Sequence, residues 1–156
     1  MTDADYMQLA IAKAREGIAA GQAPFGAAIV CDGRVVAAAH NSVWRDNDPT
    51  AHAEVNAIRQ AARTLGRIGL HDAIMFTTCE PCPMCLAATH WAKIARLIHG
   101  AMIADAAAAG FSELAVSARR LASMGGSPLR IESGLLEAEC RGLFHLWKET
   151  GLSKSY

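Results

Sequence analysis

Apolar residues recur with the period of a helix near the start of the chain and with the period of strands soon afterwards. Residues 3–20 carry apolar side chains three or four positions apart, which predicts an amphipathic helix. From Phe25 to His40, two short apolar runs flank Asp32-Gly33, a dipeptide suited to the positive φ angles of a type I′ turn. The pattern therefore predicts a helix followed by a β-hairpin.

Beyond a polar loop over 41–50, short strands and helices alternate. The predicted elements are a helix over 51–65 with Val55, Ile58 and Ala62 on one face, a strand over 73–78, a helix from Pro83 through Trp91, a strand over 95–99, a loop and helix over 106–124, a strand over 127–132 and a helix over 135–148. A hairpin followed by strands with helical crossovers predicts an α/β fold, a three-layer αβα sandwich with a mixed five-stranded sheet. No linker or repeat interrupts the pattern, so we expect residues 1–156 to form one domain.

Composition narrows the range of partners. The 156 residues are 52% hydrophobic and 19% charged, which excludes a disordered chain. The 15 basic and 15 acidic side chains cancel, and this balance argues against a large phosphate-binding face. No apolar run reaches the ~20 residues of a membrane span, and the acidic start is unlike a secretory signal. We therefore expect a cytoplasmic protein with no membrane or nucleic-acid partner.

Three cysteines between positions 79 and 85 carry most of the chemical information. Cys82-Pro83-Met84-Cys85 is a Cys-x-x-Cys pair, which alone suits a redox pair, a zinc site or two buried thiols. His52 and Glu54 stand at the start of an earlier predicted helix. Two thiolates and one imidazole fill three positions of a tetrahedral zinc and leave the fourth for water. His-x-Glu followed by Pro-Cys-x-x-Cys is the signature of zinc base deaminases, in which the glutamate is not a ligand.

Cys79 keeps a second interpretation open. Together with His52 and the Cys-x-x-Cys pair, it could close a structural four-ligand zinc site that has no open position. That arrangement leaves Glu54 without a role, and a redox pair explains neither Glu54 nor His52. We therefore favour hydrolytic zinc chemistry, with His52, Cys82 and Cys85 as ligands and Glu54 as the catalytic acid and base.

The sequence resembles the cytidine deaminase superfamily at 50–54 and 79–86, and within it the bacterial guanine deaminases. Further similar stretches are 24–27, 47–55 and 105–111, so the resemblance is dense from about residue 5 to 114 and thin beyond. It implies hydrolysis of a free amino-purine, guanine to xanthine and ammonia. It also implies one zinc ion per chain and proton transfer by Glu54.

The resemblance further implies a set of substrate contacts: Phe25, Asn41, the backbone of Ala53, Trp91, Glu113 and Tyr156. Asn41 would hydrogen-bond the purine, and Glu113 would recognise the amidine edge of guanine. Ser112 stands before Glu113 where the family commonly has an acid. From the residues alone, Asn41 is equally suited to cap a loop and Glu113 to begin a helix.

The C-terminal segment 150–156 has two interpretations. A short polar end frays by default. In the guanine deaminases that this chain resembles, however, the C-terminal segment crosses to a partner subunit and closes its active site. Tyr156, with an apolar ring and a polar tip, suits such a partly wet position. We therefore expect a homodimer, domain-swapped through this segment, in which Tyr156 excludes water from its own or the partner's zinc pocket.

Three other functions stay open at this point. Residues 132–140 resemble bacterial tRNA adenosine deaminases, but those enzymes continue with an arginine-rich helix, whereas 141–149 is mostly apolar here. The same zinc centre could also deaminate another small ring, such as cytosine or an amino-triazine. A zinc-stabilised binding module without catalysis is the third alternative, and in such a module Glu54 would be dispensable.

Overall fold

The computed structural model describes residues 1–156 and contains one five-stranded sheet. Its strands are β1 Gly26–Cys31, β2 Arg34–His40, β3 Ala73–Cys79, β4 Arg96–Ala101 and β5 Arg130–Ser133, in the order β2-β1-β3-β4-β5. Strand β1 pairs antiparallel with β2 and β3, and β4 pairs parallel with β3 and β5. The prediction of an antiparallel hairpin followed by parallel strands is confirmed.

Helices cover both faces of this sheet. They are α1 Asp3–Ala19, α2 Val43–Asp46, α3 Ala53–Leu65, α4 Pro83–Trp91, α5 Ile103–Ala108, α6 Ala118–Met124 and α7 Glu137–Glu149. Successive residues of β3 point to opposite faces, so Phe76 packs in a core with α1 and α7, while Met75 packs in another with α3, α4 and α6. These two cores give the predicted three layers. None of the seven helices has the length and apolar character needed to span a bilayer.

The hairpin turn has the backbone that its sequence favours. Asp32 and Gly33 have φ angles of 49° and 71°, both in the left-handed region that a type I′ turn requires. Asp adopts that region more easily than most residues, and Gly does so without steric cost. The turn therefore places Cys31 opposite Arg34, and an irregularity between Ile29 and Val30 then shifts the pairing of the two strands by one residue.

Two features differ from the prediction. Helices α2 and α5 lie partly or wholly in stretches assigned to loops, because single helical turns leave little periodicity to detect. The buried face of α3 is formed by Ala57 and Ala61, while Val55 and Ala62 lie at its edge. Helix α3 packs on β1 and β2, which are rich in alanine, so small residues on both sides bring the helix close to the sheet.

Candidate active site and metal centre

The predicted metal ligands come together between two helix starts. His52 is the N-cap residue of α3 and Cys82 that of α4, and both have extended backbones with ψ angles of 156° and 166°. Neither side chain caps its own helix, so both remain available for a common ligand. Nδ1 of His52 lies 3.4 Å from Sγ of Cys85 and 3.7 Å from Sγ of Cys82.

This donor set fits zinc. The two sulfurs and the imidazole nitrogen all lie within 4.8 Å of one another. Zn–S bonds of about 2.3 Å and Zn–N bonds of about 2.0–2.1 Å at a tetrahedral angle separate the ligand atoms by about 3.6 Å. The two distances from Nδ1 match that separation. Cys79 is not a member of the group, and its thiol donates instead to the Met102 carbonyl at 3.5 Å.

Among the three ligand residues His52, Cys82 and Cys85, the lowered pKa of Cys82 favours binding of a cation. A hydrogen bond from Cys85 lowers the pKa of Cys82 to about 4 against the opposing effect of burial. The same hydrogen bond, together with burial, raises the pKa of Cys85 well above its usual value. Burial alone would lower the pKa of His52, but its hydrogen bond to Cys82 raises it. The site thus holds one thiolate at neutral pH, and a bound dication would favour a second.

Glu54 lies beside the ligands as the second residue of α3 and is only 6% exposed. Burial raises its pKa, and negative charge on Cys82 adds to the effect. The hydroxyl of Thr77, on β3, donates to Oε1 of Glu54 at 3.1 Å. A carboxylate held in one orientation with a raised pKa is suited to accept and return a proton. Thr77 carries no local sequence signal and was not predicted.

The ligands open onto a pocket of about 260 Å³. Phe25 and Phe111 form part of its wall, with ring centroids 4.9 Å apart in an edge-to-face arrangement. Three glutamates line the pocket, Glu54, Glu80 and Glu113, and no lysine or arginine does. Burial and the nearby Cys82 charge raise the pKa of Glu113 to about 7. The pocket is therefore small, partly aromatic and rich in carboxyl groups.

The other predicted substrate contacts fall in three different places. Asn41 is fully buried, its amide donating to the Tyr156 hydroxyl at 2.5 Å and its Oδ1 accepting from the Val43 amide at 3.2 Å. Ala53 is buried as the first residue of α3. The structure does not bring Trp91 to the pocket: it is the last residue of α4 and is 77% exposed.

The C-terminal segment folds back over the pocket of its own chain. The ring of Tyr156 lies 5.7 Å from that of His52 and 5.6 Å from that of Phe111. The Tyr156 backbone oxygen accepts from the Ser112 amide at 3.1 Å, and the Trp44 indole donates to the Lys154 carbonyl at 3.2 Å. Burial raises the pKa of the Tyr156 phenol, which therefore stays neutral. Exchange of this segment with a partner stays a prediction.

Comparison with known proteins points to the same chemistry. Residues 1–101 match the family model of the cytidine and deoxycytidylate deaminase zinc-binding region. The chain is 48% identical to guanine deaminase of Bacillus subtilis over 114 residues, which are 72% of this chain and 73% of that protein. It is 45% identical to a tRNA-specific adenosine deaminase of Agrobacterium fabrum over 96 residues, which are 62% and 63% of the two chains. The structure of guanine deaminase from Nitrosomonas europaea aligns over 95% of this chain and 85% of that one, with a TM-score of 0.87 at 26% identity.

Proposed function

This chain belongs to the cytidine and deoxycytidylate deaminase zinc-binding family, and from that premise we propose that it hydrolyses the free base guanine to xanthine and ammonia. The lining of the pocket carries this proposal, since Glu54, Glu80 and Glu113 contribute carboxyl groups and no lysine or arginine is present. A substrate that brought a phosphate to this pocket would find no cationic side chain, whereas phosphate binding in proteins depends mainly on lysine and arginine. A neutral base has no such requirement.

Recognition of guanine would use pocket residues other than the metal ligands. The carboxylate of Glu113 can accept hydrogen bonds from the N–H groups of the guanine amidine edge. Phe25 and Phe111 supply apolar and aromatic surface for the faces of the base. The similarity to guanine deaminase of Bacillus subtilis supports this assignment.

The chemistry would divide between the metal and Glu54. Zinc, when held by His52, Cys82 and Cys85, is a Lewis acid that makes water nucleophilic near neutral pH. Glu54 would take one proton from water and pass it to the ring nitrogen beside the amino-bearing carbon. It would then take the second proton from the hydroxyl group newly bonded to that carbon and give it to the departing amine, which leaves as ammonia. Thr77 keeps one carboxylate oxygen of Glu54 in place, which fixes the orientation of the carboxyl group for these transfers. Guanine and water together account for the atoms of xanthine and ammonia.

The test is ammonia release from a panel of guanine, adenine, cytosine, cytidine and one tRNA. We expect guanine to give the highest kcat/KM, and Glu113→Gln to raise KM for guanine because the amide presents only one acceptor oxygen. The matched control is Glu139→Gln, which changes a carboxylate on the exposed part of α7 and should leave KM unchanged. Ammonia from tRNA alone would refute the guanine assignment and favour the adenosine deaminase alternative raised by the Agrobacterium relative.

The C-terminal segment should matter for turnover more than for metal binding. Deleting residues 151–156 removes Tyr156 and opens the pocket to water, so kcat/KM for guanine should fall several-fold while zinc content stays near one per chain. The milder control, Tyr156→Phe, keeps the ring and loses only the hydrogen bond from Asn41. Full activity of the truncated chain would remove the closing role, and light scattering of the same samples would show whether the chain is the proposed homodimer.

A further inference from the structure

Glu80 is a buried carboxylate to which neither the metal centre nor the proposed chemistry assigns a task. It is 5% exposed and lies in the connection between β3 and α4, two residues before Cys82. Its Oε2 accepts from the amide of Ile103 at 3.0 Å, and its Oε1 accepts from the amide of Ala118 at 2.8 Å. These are the first residues of α5 and α6, so one side chain holds the starts of two separate helices.

The chain between those two anchor points forms a wall of the pocket. After α5 ends, residues 109–117 contain no helix or strand, and yet Phe111, Ser112, Glu113 and Leu114 of this stretch all line the pocket. Its internal backbone hydrogen bonds join near neighbours, from Glu113 to Phe111 and from Val116 to Leu114. Such bonds shape turns but do not fix the stretch relative to the rest of the protein. Between its ends, the stretch is held by the packing of Phe111 on Phe25 and Trp147 and by the hydrogen bond from the Ser112 amide to the Tyr156 backbone oxygen. The position of its remaining residues, including Glu113, therefore depends on how its two ends are held.

The anchoring side chain also lies on the segment that carries the metal ligands. Hydrogen bonds to a charged acceptor are stronger than neutral ones, and burial strengthens them further. Because the Ser112 amide donates to the backbone oxygen of Tyr156, the same stretch also supports the C-terminal segment over the pocket. A displacement of the wall would move both Glu113 and this covering segment relative to the ligands.

We propose that Glu80 is a positioning residue for substrate binding, which sets the distance between the base-recognising wall and the metal centre. It does so by bridging the amides of Ile103 and Ala118 from the β3–α4 connection. The expected rise in KM for guanine rests on the proposed function, because it assumes that Phe111 and Glu113 contact the base. Since they would not contact the reacting bond, kcat should change little. The structural consequence, a less protected stretch 109–117, does not rest on the proposed function.

The experiment compares Glu80→Gln with the wild-type protein by amide hydrogen exchange, zinc analysis and steady-state kinetics. Glutamine is nearly isosteric but offers one acceptor oxygen, so one of the two helix-start amides loses its partner. We expect amides in 109–117 to exchange at least about tenfold faster and KM for guanine to rise about tenfold, with kcat changed less than about threefold. Zinc content should stay at the wild-type value.

A second variant removes one of the two backbone donors and leaves the Glu80 carboxylate unchanged. Ala118→Pro removes the backbone N–H that donates a hydrogen bond to Glu80. Position 118 is the first residue of α6, where proline is well tolerated, and Ser117 before it already has the extended backbone that a following proline requires. The variant should reproduce the exchange and KM changes of Glu80→Gln. The control is Ser117→Ala, which removes the hydroxyl that caps α6 at the Arg120 amide but leaves the bridge intact, so KM should change less than about threefold.

Either of two results would overturn the proposal. One is unchanged exchange in 109–117 in both Glu80→Gln and Ala118→Pro. The other is exchange that accelerates equally throughout α1, which packs on β1 and β2, because Glu80 would then stabilise the whole fold and not this wall. A wild-type protein that releases no ammonia from guanine would refute the proposed function, while the exchange comparison would still decide the role of Glu80.

Discussion

Replacing Glu54 with glutamine should lower kcat for guanine by at least about 100-fold, the lower end of general acid–base contributions. The amide cannot take a proton from water or pass one to the base. The amide oxygen can still accept the hydrogen bond from the Thr77 hydroxyl, and glutamine has nearly the size of the buried glutamate, so the fold should persist. Zinc content should remain near one per chain, because Glu54 is outside the ligand group. Parallel kcat and metal measurements on the purified variant check both points.

The matched control is Glu113→Gln, which neutralises another carboxyl group of the same pocket. It should act on KM, whereas Glu54→Gln should act on kcat, and this contrast separates proton transfer from binding. Turnover of Glu54→Gln above a tenth of the wild-type value would refute the proton-transfer role. The alternative of a zinc-stabilised binding module would instead require a wild-type protein that releases no ammonia from any substrate of the panel.

Cys82→Ala and Cys85→Ala should each lose zinc and with it essentially all activity. Each removes one of three ligands, and the remaining imidazole and single thiolate cannot complete the tetrahedral set. Cys79→Ala should keep zinc near one per chain, since the Cys79 thiol donates to the Met102 carbonyl and lies outside the ligand group. Metal analysis after dialysis of the three variants distinguishes these outcomes. Loss of zinc from Cys79→Ala would indicate a closed four-ligand site.

Local sequence patterns were sufficient to predict the order of helices and strands and the type of sheet. The Asp32-Gly33 turn, the proline at the start of α4 and the strand periodicities predicted the element order and the mixed sheet, because each depends on neighbouring residues. The candidate site residues were also predictable from the sequence, since His52 with Glu54 and Cys82 with Cys85 are close pairs at the starts of helices. Short helices such as α2, and the buried face of α3, were missed because a single turn or an alanine-rich surface leaves a weak hydrophobic pattern.

The sequence by itself therefore determined the layer order, the two helix starts that present a zinc-type ligand set and the kind of reaction to expect. Only the tertiary structure decided which hydrogen bonds hold the site together: Thr77 to Glu54, the starts of α5 and α6 to Glu80, and Asn41 to Tyr156. It also placed Trp91 outside the pocket, on the exposed end of α4. These contacts join residues far apart in the chain. They depend on strand order and helix packing, which no window of neighbouring residues encodes.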